Sequence, residues 1–123
     1  MKDAKTYLQE ANAIVPKISA EEGIAKHGTD ALFIDVRDGT MIAQTGTIAG
    51  ALRIPRGMME FAADPATQYY NKALSHDAEI VLVCGAGGQA ALAGRTMTEM
   101  GYTNVSNVGG FAAWKEAGGP TES

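Results

Sequence analysis

The run Ile80-Val81-Leu82-Val83-Cys84 passes without a spacer into Gly85-Ala86-Gly87-Gly88-Gln89-Ala90, and a helical pattern follows at once in Ala91, Leu92, Ala93, Arg95, Met97 and Met100. A short continuous run rich in β-branched residues predicts a strand buried on both faces, as strands of parallel sheets are. A strand that feeds straight into a helix through a glycine turn restricts the chain to an α/β architecture. Ligands of such folds sit beyond the carboxyl ends of the strands. Cys84, the only cysteine, stands at one of those ends.

The rest of the chain is read the same way. Ala4, Leu8, Ala11 and Ile14 have near-helical spacing, so residues 3–14 are expected to form a helix that Pro16 stops. Ser19 and Glu22 have capping-box spacing, which predicts a second helix from Ala20 to His27 ending at Gly28. Ala31 to Val36 reads as a strand, and Gly39, Gly46 and Gly50 mark a turn-like region after it. Ala51 to Ile54 is a short strand closed by Pro55. Residues 57–63 and 65–74 read as helices broken at Asp64-Pro65. After the Cys84 turn come a helix to Met100 with Gly101 as its C-cap, a strand from Asn104 to Val108, a Gly109-Gly110 turn and a helix from Phe111 to Ala117. The expected fold is α/β, with a central, mostly parallel sheet and helices on both faces. Residues 1–123 are expected to form one domain.

Charge and composition remove several function classes. A formal net charge of −4 with no basic run argues against nucleic-acid binding. No apolar stretch approaches the roughly 20 residues of a membrane span. Met1 to Glu10 contains no apolar segment of the kind that signal peptides carry, so cytoplasm is the expected compartment. One cysteine allows no internal disulfide and no cysteine-based zinc site. His27 and His76 lack metal-ligand spacing and are expected at the surface. No metal and no cofactor is expected.

The chemistry then concentrates on Cys84. The glycines behind it let backbone N–H groups curl inward around one point, and the helix that follows aims its positive end there. A thiol so placed loses its proton more easily than a free one, and the thiolate is the reactive form. At least two N–H groups of Gly85–Ala90 are expected to face the sulfur, at the bottom of a pocket. The alternative is an inert core cysteine, which needs no glycine-rich turn after it.

Four segments together resemble the rhodanese-like domain, and the likeness covers most of the chain. Phe33-Ile34-Asp35-Val36-Arg37-Asp38 is similar to the family's strand ending in Asp-Val-Arg-Glu. Gly46-Thr47-Ile48-Ala49-Gly50-Ala51 resembles its Gly-His-Ile-Pro-Gly-Ala segment. The third segment is the Cys84 strand and loop. The fourth is Gly101-Tyr102-Thr103-Asn104-Val105 with Gly109-Gly110-Phe111-Ala112-Ala113-Trp114 and Gly118-Gly119-Pro120, which is similar to the family's closing pattern. Arg56-Gly57-Met58-Met59-Glu60-Phe61 resembles a segment of bacterial single-domain members.

The resemblance implies a sulfurtransferase. Cys84 would take sulfane sulfur from a donor such as thiosulfate, hold it as a persulfide, and pass it to cyanide or a thiol. Its partners would be a small sulfur-containing anion and a protein or thiol acceptor. The loop Gly85, Ala86, Gly87, Gly88, Gln89 and Ala90 would bind substrate, and Asp35 and Arg37 would support it. The family loop usually reads Cys-x-x-Gly-x-Arg-Ser, whereas Gln89 and Ala90 stand at the arginine and serine positions here. A fixed cation is therefore missing, which weakens the expected binding of a doubly charged donor. Arg53 and Arg56, which flank Pro55 at another strand end, are the expected replacements. Thr47 and Ala49 replace the usual His and Pro of the second segment, a change expected to touch structure more than chemistry.

Three rivals remain in view. Gly85-Ala86-Gly87-Gly88-Gln89-Ala90 fits a weak dinucleotide fingerprint, but the strand that follows carries no ribose-binding acid at its end. A cysteine phosphatase needs an arginine six residues after the cysteine, and Ala90 stands there. The serious alternative is a catalytically weak or inactive module that uses the fold for protein binding or for sulfur or redox sensing.

Overall fold

The computed structural model describes residues 1–123. Its centre is β4 (Ile80–Cys84), buried at every position. β1 (Leu32–Asp35) lies parallel to β4 with Phe33 beside Val81, and β3 (Leu52–Arg53) lies parallel to β1 on the far side. β5 (Val105–Gly110) completes a parallel sheet of order β3-β1-β4-β5. The register between β4 and β5 slips after Leu82, so Gly109 and Gly110 stand beside Val83 and Cys84. The predicted Gly109-Gly110 turn is therefore the end of a strand.

Alternate residues of the sheet feed two cores. Ile34, Leu82 and Cys84 pack with Met59 of α4 (Met59–Ala62) and with Ala90, Ala93 and Met97 of α5 (Gly88–Glu99). Phe33, Val81, Val83 and Val108 pack on the other face with Phe111 and Trp114 of α6 (Phe111–Glu116). α2 (Ala20–Lys26) joins that second layer, and its Ser19–Glu22 capping box is present. α1 (Ala4–Ile14) packs on α5, with Glu10 bound to Arg95 at 2.8 Å. Pro16–Ile18 then runs beside β5: Asn107 N–H donates to the Pro16 carbonyl and Ile18 N–H to the Asn107 carbonyl, both at 2.9 Å.

Four expectations change. The region after Asp38 is a helix, α3 (Gly39–Thr45), because the Asp38 carboxylate caps it by accepting from Met41 N–H at 2.9 Å. Residues 65–74 are turns, and a 3₁₀ turn at Arg56–Met58 precedes the single turn of α4. Asp64 and Asn71 each accept from a backbone N–H two residues on, and Thr67 donates to the Phe61 carbonyl. Those local bonds compete with a helix for the same backbone groups. β2 (Thr47–Ile48) and β6 (Thr121–Glu122) form an unanticipated antiparallel pair. His27 is half-buried, with its Nε2–H on the Ala49 carbonyl at 2.7 Å and its ring against Phe33 and Trp114.

Candidate active site

Cys84 ends β4, and the chain turns over its sulfur before α5 begins. Gly87 is the N-cap of α5 with φ +96°, a left-handed conformation that glycine adopts without steric cost. That turn directs Gly87 N–H onto Cys84 Sγ at 2.9 Å. One loop N–H meets the sulfur where at least two were expected. Gly88, Gln89 and Ala90 already belong to α5, so the helix sets the direction of their N–H groups. Cys84 is fully buried beneath its own loop.

A cavity of about 560 Å³ opens beside the loop. Gly85 and Gln89 form one wall, Asp38, Met41, Gln44 and Thr45 of the α3 segment another, and Phe111, Ala112 and Lys115 of α6 a third. Cys84 does not line this cavity, so the expected pocket with the sulfur at its bottom becomes a cavity separated from the sulfur by the loop. Two cations reach the cavity, Arg37 and Lys115. They differ in kind. Arg37 is buried and its charge is matched by Asp35, whereas Lys115 forms no ion pair.

Asp35 and Arg37 form a closed internal pair. The Arg37 guanidinium donates through Nη2 and Nε to Asp35 at 2.7 to 3.2 Å, and Nη1 and Nη2 also donate to Thr45 Oγ1 and the Gly46 carbonyl. Thr47 donates to Asp35 Oδ2 at 2.7 Å, so the residue at the family's usual histidine position is part of the same network. No side-chain donor or acceptor in the buried interior lacks a partner. Asp35 thus anchors Arg37, and Arg37 presents to the cavity a face already neutralised on its other side.

Arg56 sits elsewhere. Its guanidinium donates to Glu60 at 3.2 Å and to Thr96 on α5 at 3.2 Å, two turns beyond the loop, and it does not line the cavity. Lys115 is the unpaired cation that shares the cavity with Gln89 instead. It was not singled out from the sequence, and an isolated lysine on a short helix carries no spacing signal that could have found it.

A second cavity, of about 300 Å³, lies on the opposite side of the loop. Ala86, Gly87 and Gly88 border it together with Leu8 and Asn12 of α1, Lys17, Ile18, Asn107 and Gly109. Asn107 was also missed, although a carboxamide inside a parallel strand is a detectable oddity. Behind this wall, hydrogen bonds from Lys2 and Arg95 hold the Glu10 carboxyl below its ordinary range.

No group of three or more His, Cys, Asp or Glu side chains is placed to hold a metal ion, and no helix is long and apolar enough to cross a membrane.

Comparison with known proteins agrees with this geometry. The chain is 30% identical over 98 residues to thiosulfate sulfurtransferase 16 (chloroplastic) of Arabidopsis thaliana, covering 74% of this chain and 79% of the relative. The human single-domain sulfurtransferase superposes with a TM-score of 0.71 at 31% identity, covering 83% of this chain and 96% of that one. A protein of unknown function from Rhodopseudomonas palustris, described as a possible tyrosine phosphatase, superposes with a TM-score of 0.93 at 36% identity over 99% of this chain and 96% of that one. The family model for the rhodanese-like domain matches residues 19–117. The parallel sheet, the cysteine loop and this match together establish that the chain belongs to the rhodanese-like domain family.

Proposed function

We propose that the protein is a sulfurtransferase that carries sulfane sulfur on Cys84. The observation that carries this reading is the Gly87 N–H held 2.9 Å from Cys84 Sγ at the mouth of a helix, beside a cavity with an unpaired lysine. In the first half-reaction the Cys84 thiolate attacks the outer sulfur of a donor. The donor's S–S bond breaks, its remainder leaves with the electron pair (sulfite, if the donor is thiosulfate), and a Cys84 persulfide forms. In the second, an acceptor thiolate or cyanide takes the terminal sulfur and frees the Cys84 thiolate. The Gly87 N–H supports the negative charge on Sγ in the resting thiolate and again as Sγ leaves the persulfide in the second half-reaction, as oxyanion-hole donors support oxygen. Lys115 draws the anionic donor in place of the arginine that Gln89 replaces. The donor reaches the sulfur only when the Gly85–Gly87 turn shifts, because Cys84 is covered at rest.

The test is intact mass. Incubation with thiosulfate or an organic thiosulfonate, without reductant, should add one sulfur atom to the protein, and Cys84→Ser should abolish the gain. A chain that gains no sulfur from any such donor supports the second reading, a non-catalytic module, which the full burial of the thiol favours. The phosphatase description of the R. palustris relative brings a third outcome to check with an aryl phosphate. Against it, Gln89 offers no charge to a phosphoryl group, and Arg37 is occupied by Asp35.

A further inference from the structure

We infer that Asn107 is a positioning residue for the cysteine loop, and that its carboxamide holds Gly87 in the conformation that points Gly87 N–H at Cys84 Sγ. The inference rests on the sulfurtransferase reading only for its kinetic consequence. Asn107 lies on β5 and is 2% exposed. Its Nδ2 donates to the Gly87 carbonyl at 3.0 Å, and its Oδ1 accepts from Gly109 N–H at 2.8 Å. Only one orientation of the carboxamide satisfies both partners, since a carbonyl needs a donor and an N–H needs an acceptor. Both partners are glycines in the left-handed region, Gly87 at φ +96° and Gly109 at φ +90°. A single side chain therefore ties the turn over the sulfur to the slipped end of β5.

The mechanical argument follows from the peptide planes. The Gly87 carbonyl also accepts the first bond of α5, from Ala91 N–H at 3.0 Å. Two donors on one oxygen fix the peptide after Gly87. The peptide before it, which carries the N–H on the sulfur, is then confined between that fixed plane and the end of β4 three residues back. Glycine has the widest torsional freedom of any residue, so an unbraced Gly87 would not hold one orientation. The brace is itself held in place. The Asn107 main chain is bonded on both sides to Pro16 and Ile18, so its position does not depend on its side chain.

Asn107→Asp isolates the donor. The carboxylate still accepts from Gly109 N–H but offers no hydrogen to the Gly87 carbonyl. Protonated, it donates again. Lys17 is the one charged residue lining the adjoining cavity, and it shifts the pH of that recovery without changing its direction. We expect the Gly87 amide proton of the ¹⁵N-labelled variant to move upfield of wild type at alkaline pH and to return as pH falls. We also expect the rate of persulfide formation, as a ratio to wild type at each pH, to drop by about tenfold or more at alkaline pH and to recover in parallel. Asn107→Ala removes both groups and should show the same losses with no recovery. An unchanged Gly87 amide, or a rate ratio flat with pH in Asn107→Asp, overturns the inference. Should Asn107→Asp not fold, an unchanged amide and rate in Asn107→Ala overturns it instead. Should wild type form no persulfide from any sulfane donor, the proposed function falls, while the Gly87 amide still decides the role of Asn107.

Discussion

The Arg37 guanidinium lies 4.7 Å from the centre of the Phe111 ring while its donor groups grip Asp35. One side chain thus joins the end of β1 to α6 across the cavity. Arg37→Lys keeps the charge and loses the planar fork, and we expect a loss of about 2 kcal/mol in denaturant unfolding. Arg37→Met leaves Asp35 buried without its partner and should cost more, about 3–5 kcal/mol. An Arg37→Lys variant as stable as wild type would show that the fork contributes nothing beyond its charge.

Gln89 and Lys115 line the same cavity. Gln89→Arg restores a cation near the loop and should lower KM for thiosulfate. At this exposed position the added contact is worth about 1.5 kcal/mol at most, or roughly tenfold. Lys115→Glu should raise KM for thiosulfate several-fold with little change in kcat. Steady-state kinetics on the two variants reads both. If Lys115→Glu left KM untouched, the anion would be entering by another side.

Gly87 has room for a methyl group, since a Cβ there would sit 3.8 Å from Gly109 Cα and 3.9 Å from Asn107 Nδ2. The obstacle is conformational. At φ +96° a Cβ costs about 1–2 kcal/mol. Gly87→Ala should lower stability by about that amount and slow persulfide formation more than the stability loss explains, because relaxing the strain turns the N–H away from the sulfur. Gly87→Val should abolish persulfide formation while the far-ultraviolet circular dichroism stays native.

Gly94 presents the opposite case. It lies in regular helix, where alanine is favoured by about 1 kcal/mol. A Cβ there, however, would come within 2.8 and 2.9 Å of the two Val15 methyl groups. Val15 is buried, so the clash outweighs the propensity gain. Gly94→Ala should destabilise the protein by about 1–2 kcal/mol, read as a lower urea midpoint.

Glu10 supplies a pH signature. Hydrogen bonds from Lys2 and Arg95 depress its folded pKa. Its contribution is therefore complete above the unfolded value and is lost as pH falls through the depressed folded one. We expect the amides of α1 to lose hydrogen-exchange protection in acid before those of β4, and Glu10→Gln to remove the difference in pH response.

How much of this was legible depends on where the signal resides. β4, the Cys84 turn and α5 show directly in the sequence, because burial on both faces forces an unbroken apolar run and the turn requires glycine. α1 and α2 carry periodicity or a capping box. α3 was hidden because its one decisive signal, Asp38 as a cap, sits among glycines that read as a turn. The false helix over 65–74 arose because Asp64, Thr67 and Asn71 spend their side chains on local backbone, which no periodicity records. At the site, Cys84, Gly87 and the supporting places of Asp35 and Arg37 follow from the chain itself. Lys115 and Asn107 do not, since only tertiary packing carries them to the loop. The position of Arg56 at a strand end points to the loop, but Glu60 and Thr96 hold its guanidinium away from the cavity.

The pairing of Pro16–Ile18 with β5 bears on where the folding unit begins. β5 is the last strand of the sheet, and that short segment occupies its outer hydrogen-bonding groups at Asn107. The family match starts at residue 19, just after it. A protein trimmed to 19–117 would keep the sulfur, the loop and both cavity helices, yet would bare an open sheet edge. Unpaired edges recruit strands from other chains. The trimmed form should therefore self-associate more than the full chain, and a domain cut at the family boundary would misreport its solubility.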